Sequence, residues 1–346
     1  MQSKVNTKRG ITVTIKDIAK ESGYSVSTVS RVLNNRRDVS PEAKKKIDEI
    51  VAAHNFVPNN NAKQLKQITS KTIIALVKGH SNMLFFNIVE EIQKTIERSK
   101  YSLEVSYIDE YDDEVEQASI LCRERKPLGI LFLGGNPQMF ERGFEDIQVP
   151  SVIVTTDSSL LKFNNLSSVS TDDTLGAECA IDYLIENGHR NIGIIGGDKT
   201  DFNTSSQRYK GCMNSFHKNN IPFSDKTNFM RARFAYDSAY RAMKHLLEKA
   251  DGLTAVFAMS DVMAIGAMRA IMDSGMRVPE DISVIGFDGI DMADYYNPKL
   301  TTICQQYKTI AQRSVEILFD MIDLKSSSVH EIIPFELACG ESVRKI

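Results

Sequence analysis

The stretch Thr12 to Arg37, TVTIKDIAKESGYSVSTVSRVLNNRR, decides how the rest of the chain is read. It predicts two short helices joined by a tight turn. Thr14 stands where a first helix would be capped, with Asp17 at capping-box spacing, and Ile15, Ile18 and Ala19 fall on one apolar face. Gly23 interrupts that period, and Ser25 can cap a second helix from Val26 to about Leu33. Val29, Val32 and Leu33 are spaced to pack back on the first helix, leaving Val26, Ser27, Thr28, Ser30 and Arg31 outward. This is the pattern of a helix-turn-helix whose second helix is offered to a DNA major groove.

Working outward, Asn34 to Asp38 reads as a polar loop, and Ser40-Pro41-Glu42 reads as a cap, a proline at the first helical position and an early acid. A third helix follows, with Ala43, Ile47, Ile50 and Val51 on one face to close a small core. Lys44, Lys45 and Lys46 are either solvated or in reach of phosphate. Residues 1–11 read as a flexible basic arm, with Lys8 and Arg9 open to either role. Residues 59–71 form a polar linker after Phe56-Val57-Pro58, too poor in apolar residues to fold alone.

Charge follows the same division. Residues 1–67 hold 13 Lys/Arg against 6 Asp/Glu, a charge of +7, whereas the remainder holds 29 against 39, a charge of −10. A basic head on an acidic body suits a protein that grips phosphate at one end only. The five cysteines, at 122, 179, 212, 304 and 339, have no ligand spacing and read as reduced residues. No metal site and no cofactor is expected. The opening MQSKVNTKRG has no apolar run, so no signal peptide is expected, no uninterrupted apolar stretch is long enough to span a membrane, and the location inferred is the cytoplasm, on nucleoid DNA.

From Thr72 short β-rich runs alternate with amphipathic stretches, beginning TIIALV, LEVSYI, GILFL and SVIVTT and continuing through NIGIIGG, TAVFAM and ISVIGFDG. Strands alternating with helices imply parallel sheets covered on both faces. Two such units fit the count, over about 72–168 and 169–302. YYNPKLTTI reads as loop, a helix is expected near 308–324 and a last strand near 331–335. Ligands in such proteins bind at the carboxyl ends of strands, between the lobes. Gly134-Gly135 and Gly196-Gly197 lack a dinucleotide or P-loop fingerprint, and no serine sits in a nucleophile elbow. No catalytic residue is therefore assigned. Asp172 and Asp173 read as caps or as a border of the cleft, and His189 as structural.

TIKDIAKESGYSVSTVSRVLN and the following VSPEAKKKIDEIVAAHNFVPNNNAKQL closely resemble the headpiece of the lactose-repressor/galactose-repressor family of bacterial transcription regulators. The later motifs ENGHRNIGIIG, SSQRYKG, MSDVMAIGAMRA and GFDG resemble that family's effector core. The resemblance implies an all-helical helix-turn-helix headpiece (12–58), a hinge (59–71), and a bi-lobed periplasmic-binding-protein-like core. That core has two parallel-sheet α/β/α subdomains, 72–168 with 303–330 and 169–302 with 331–346.

It implies DNA contacts at Thr14, Val26, Ser27, Thr28, Ser30, Arg31, Asn34 and Asn59, with Ala62 and Leu65 at the hinge positions where a leucine wedges the minor groove. It implies an effector site at Arg208, Ser260, Asp261 and Asp288, with Phe234 where some relatives stack a tryptophan. Phe85 and Phe86 follow the first strand and either wall the cleft or join the core. Asp261 either meets ligand or caps its helix. The family often has asparagine where this chain has Ser260, which leaves the sugar's identity open. The expected partners are a pseudo-palindromic double-stranded operator, a second copy of the chain and a small effector, most simply a sugar. A sugar receptor without a regulatory role, and an architectural DNA-binding protein without ligand, are the rival readings.

Overall fold

The computed structural model describes residues 14–33, 36, 39–54, 71–79, 82–199 and 203–346. It divides into two units, residues 1–69 and 70–346.

The first unit contains α1 (Ile15–Ser22), α2 (Val26–Leu33) and α3 (Pro41–Ala53). The caps follow the local sequence. The Thr14 amide and hydroxyl both donate to Asp17 Oδ2, at 2.9 and 2.6 Å. Gly23 ends α1 at φ +75°, a left-handed conformation that a Cβ would penalise, and its N–H donates to the Ala19 carbonyl at 3.1 Å. Ser25 Oγ accepts from the Thr28 amide at 3.2 Å, and Ser40 Oγ from the Ala43 amide at 3.3 Å. Ile18, Ala19, Val29, Val32 and Ile47 form the buried centre, flanked by Ile15, Leu33, Ile50 and Val51. None of these helices could bury that apolar stripe alone, so the three are mutually dependent.

The second unit has two lobes. In the first lobe, β1 (Thr72–Lys78), β2 (Ser102–Ile108), β3 (Gly129–Leu133), β4 (Ser151–Val154) and β5 (Leu166–Ser170) form a parallel sheet. Between them run α4 (Met83–Glu97), α5 (Glu114–Arg125) and α6 (Pro137–Gly143). In the second lobe, α7 (Asp173–Glu186), β6 (Ile192–Gly196), α8 (Thr204–Lys218), α9 (Asp225–Asn228), β7 (Phe229–Arg231), α10 (Tyr236–Lys249), β8 (Ala255–Ala258), α11 (Asp261–Asp273), β9 (Ser283–Asp288), α12 (Asp291–Tyr295) and β10 (Thr301–Gln305) follow in turn. The chain then returns with α13 (Tyr307–Asp323), β11 (His330–Ile332) and β12 (Phe335–Ala338).

The two sheets repeat one order, β11-β5-β4-β3-β1-β2 and β12-β10-β9-β8-β6-β7. All pairings are parallel except that of β12 on β10. Helix α13 packs on the first lobe with α4, where Ile88, Ile92, Ile310, Val315 and Leu318 are buried together.

Three boundaries differ from the sequence reading. β5 belongs to the first sheet through Ser170, so a division at 168/169 cuts a strand. TTICQ is strand β10 of the second sheet, not loop, and a division at 302/303 cuts it too. The expected final strand is two strands: His330–Ile332 joins β5, and Phe335–Ala338 joins β10. Each error falls where the partner is remote in sequence and no local period marks the pairing. Short β7 and α6 were also not anticipated. Asn34, Asn59, Ala62 and Leu65 lie outside the described residues, as does most of the 59–71 segment.

Candidate functional site

The carboxyl ends of β1, β2, β3, β4, β7, β9 and β10 converge on a cavity of about 460 Å³ between the lobes. Arg208, in the second turn of α8, is its central cation and is only 3% exposed. Its Nε donates to Asp173 Oδ1 at 2.8 Å, and Nη1 donates to the Met259 carbonyl. Nη2 lies 3.5 Å from Asp288 Oδ1, and the guanidinium carbon sits 3.6 Å from the centroid of the Phe287 ring. An arginine so placed is fixed by charge, hydrogen bonds and a π face at once.

Asp288 ends β9 at φ +122°, an uncommon conformation for a residue with a Cβ, and such strain is typical of binding sites. Gln305 Nε2 donates to its Oδ1 at 2.8 Å. Burial pushes the Asp288 carboxyl up to about 6, against the opposing pull of Arg208. Burial likewise raises Asp173, again opposed by Arg208. Phe85 and Phe234 line the same cavity from opposite lobes, as do Lys78, Asp109, Glu110 and Arg233 near its mouth.

Phe86 is 58% exposed and does not line this cavity, because it points away from the face of α4 that carries Phe85. Ser260 and Asp261 are buried behind the lining. Ser260 Oγ caps α11 by accepting from the Met263 amide at 3.2 Å. Asp261 accepts from the Gly289 and Ile290 amides at 2.7 and 2.8 Å and from the Thr302 hydroxyl at 2.5 Å. Desolvation, and then the nearby Asp288, raise its pKa well above the ordinary carboxylate value. A Cβ at position 286 would collide with Asp261 Oδ1, so Gly286 makes room for this network. Asp261 thus ties α11 to the loop after β9 and supports the site from behind.

Asp172 caps α7 by accepting from the Leu175 amide at 2.9 Å, while Asp173, one residue on, is the partner of Arg208. His189 is buried between Thr254 Oγ1 (3.1 Å) and the Arg344 carbonyl (3.0 Å), a structural position. Sequence reading missed Lys78, Asp109, Glu110, Arg233 and Gln305. The one signal they share is position: each follows or ends a strand, where side chains face the cleft.

Among the described residues four cations line the cavity, and each has a carboxylate of the protein beside it. Lys78 pairs with buried Glu114, Arg208 with Asp173 and Asp288, Arg233 with Asp109 and Glu110, and Arg241 with Asp237. The walls are polar and charge-balanced, with two aromatic faces. Among the described residues no group of His, Cys, Asp and Glu could hold a metal ion, and no helix is long and apolar enough to cross a membrane.

In the first unit, α2 turns Val26 (43% exposed), Ser27 and Arg31 outward, with Thr28 and Ser30 half-buried. The Ser25 hydroxyl lies 2.7 Å from that of Ser27 and 2.9 Å from that of Thr28, giving a cluster of hydroxyls at the start of α2. Thr14 is exposed at the start of α1. This surface is a helix N-terminus with hydroxyls, an apolar tip and a cation, suited to phosphate and base edges.

Comparison with known proteins is consistent across the chain. The profile of bacterial regulatory proteins of the lacI family matches residues 14–59, and that of the periplasmic binding protein-like domain matches residues 181–343. The HTH-type transcriptional regulator MalR of Clostridium butyricum is 38% identical, over 95% of this chain and 98% of that protein. The ribose operon repressor of Haemophilus influenzae is 31% identical, over 89% and 92%. The lac repressor dimer bound to operator and the anti-inducer ONPF superposes with a TM-score of 0.71 at 26% identity, covering 96% of this chain and 99% of that one. The complex of the transcriptional regulator CelR with cellobiose gives 0.70 at 26%, covering 95% and 99%.

Proposed function

The chain belongs to the lacI family of bacterial regulatory proteins and is a sequence-specific DNA-binding transcription regulator; on that premise we propose that it is a dimeric repressor of carbohydrate-utilisation genes that answers to a neutral sugar. The observation that carries the choice of ligand is the pairing, among the described residues, of each lysine and arginine lining the cleft with a carboxylate of the protein. At Lys78 and Arg208, whose partners are buried, a phosphate or carboxylate ligand would have to displace a carboxylate that then stays desolvated. A polyhydroxylated neutral ligand needs no such exchange. Its hydroxyls both donate and accept, so they can complete the coordination of Arg208, Asp288 and Gln305, while Phe85 and Phe234 cover its apolar faces. The likeness to a cellobiose-bound regulator and to a ribose operon repressor supports the same class.

On the DNA side, Arg31 is the candidate donor to guanine, Val26 meets a thymine methyl, and Thr14, Ser27, Thr28 and Ser30 hold phosphate or base edges. One headpiece reads a half-site, so two are needed for a pseudo-palindromic operator. Asn34, Asn59, Ala62 and Leu65 extend this surface by family resemblance, with Leu65 the minor-groove wedge. The protein works in the cytoplasm, on nucleoid DNA. Effector and operator are linked reciprocally: if the sugar weakens operator binding, the operator weakens sugar binding by the same factor.

The test has two arms. Selection from a random duplex library with the full-length protein is expected to enrich a palindromic site whose affinity falls steeply with salt. A thermal-shift screen of neutral sugars, sugar phosphates and sugar acids, with operator affinity measured for each hit, is expected to return neutral sugars. Hits confined to anionic compounds would overturn the neutral-ligand reading, and absence of a palindrome would overturn the dimeric-operator reading.

A further inference from the structure

The lobes are joined by three chain crossings: β5 to α7, β10 to α13 and β11 to β12. In both sheets the crossing strands sit at one edge, β5 and β11 in the first and β10 and β12 in the second. The opposite edges are β2 and β7. With neighbouring strands about 4.8 Å apart, β2 lies some 20 Å across the sheet from β5. Any opening about the crossings therefore separates the ends of β2 and β7 more than any other part of the cleft.

Those two ends are bound together. Arg233, just after β7, places Nη2 at 3.0 Å from both carboxylate oxygens of Asp109, just after β2. Its Nε is 2.5 Å from Glu110 Oε1, and its guanidinium carbon is 4.7 Å from the centroid of the Tyr111 ring. Both sides are held before they meet. The Arg233 amide donates to Ser238 Oγ at 2.9 Å, while the Asp109 amide donates to Asp112 Oδ2 at 3.0 Å and the Tyr111 amide to Asp109 Oδ1 at 3.1 Å. A single guanidinium thus meets two carboxylates and a ring contributed by the other lobe, at the end of the longest lever the fold provides.

We infer that Arg233 is the latch of the cleft, a positioning residue whose ion pairs with Asp109 and Glu110 hold the two lobes together at its outer edge. The inference concerns closure itself and stands whatever occupies the cavity. The network is partly open to solvent, so it acts as a releasable contact: salt screens it, and opening rehydrates all three charged groups at modest cost.

The experiment measures the distance between spin labels on non-natural residues at exposed positions 116 and 248, one in each lobe, in the full-length, ligand-free protein. Arg233→Glu is expected to lower the closed-to-open ratio about five-fold, and Arg233→Gln to lower it less. Arg233→Glu combined with Asp109→Lys and Glu110→Lys is expected to restore the wild-type distribution. Raising NaCl to about 0.5 M should open the wild type and leave Arg233→Gln nearly unmoved. Identical distributions for wild type and Arg233→Glu, or opening that neither the reversed pair nor salt reproduces, would overturn the latch. The salt arm keeps Arg233, Asp109 and Glu110 as they are, so a poorly folded variant cannot decide the result.

Discussion

The two lobes share a strand order but not a role in the site. The second lobe supplies Arg208, held by Asp173 and Asp288, with Asp261 bonded to the loop behind them, and all four are buried. The first lobe supplies Phe85 and Lys78 together with the acidic pair after β2. Those acids are partly exposed, and the Lys78 ammonium is turned onto its own Glu114. Duplicating a fold therefore does not duplicate a site. A buried ionic network is costly to assemble unless it is complete, so it is concentrated in one rigid body. The facing lobe contributes an apolar wall and releasable contacts, which is what a surface that must come and go can offer. On the proposed reading, a ligand is recognised by the second lobe and enclosed by the first.

Three variants break or sharpen that contrast. The largest effect is expected from Arg208→Ala. It leaves Asp173 and Asp288 buried beside each other without their cation, and should cost about 3–5 kcal/mol. Chemical denaturation should show that loss, and calorimetry with the best neutral-sugar hit should show no binding. A stability near wild type would mean that the second lobe is not the preassembled half.

Phe85→Ala, on the first lobe, should cost less, about 2–3 kcal/mol, because the ring borders an open cavity on one side. Affinity for the same hit should fall mainly through faster dissociation, measurable by stopped flow, since the wall encloses more than it recognises. A loss of association rate alone would contradict that division.

The smallest effect concerns pH. The Asp288 carboxyl is raised from 3.8 to about 6, so the folded chain binds its proton more tightly than the unfolded chain. The resulting stability is fully present below about pH 4 and is lost as pH rises through about 6. Relative to Asp288→Asn, the wild type should therefore weaken over that window by about 1–2 kcal/mol. That is less than a lone group with the same shift would give, because Asp173 and Asp261 compete for the same proton. Parallel melting curves for the two proteins at pH 4.5 and 7 measure the difference. Curves that keep a constant separation would remove Asp288 from the pH response.

The helices of the first unit were legible in the sequence because their determinants are local. A glycine that accepts φ +75°, serines three residues ahead of the amides they cap, and apolar residues at helical spacing all act within one or two turns. The alternation of strands and helices was legible for the same reason, whereas Arg208 and Asp288 were singled out by the family resemblance, and both line the cavity. Only the tertiary structure decided what those residues touch. Asp173 meets Arg208 across 35 residues, and Arg233 meets Asp109 across 124. Phe85 and Phe86 differ by one position, yet helix geometry sends one to the cleft and the other to solvent. TTICQ carries too little pattern to be called a strand until β9 and β12 flank it. Sequence period records which face a residue shares with its near neighbours. It cannot record which remote face will lie opposite, because that is set by how two sheets and three crossings close around a common core.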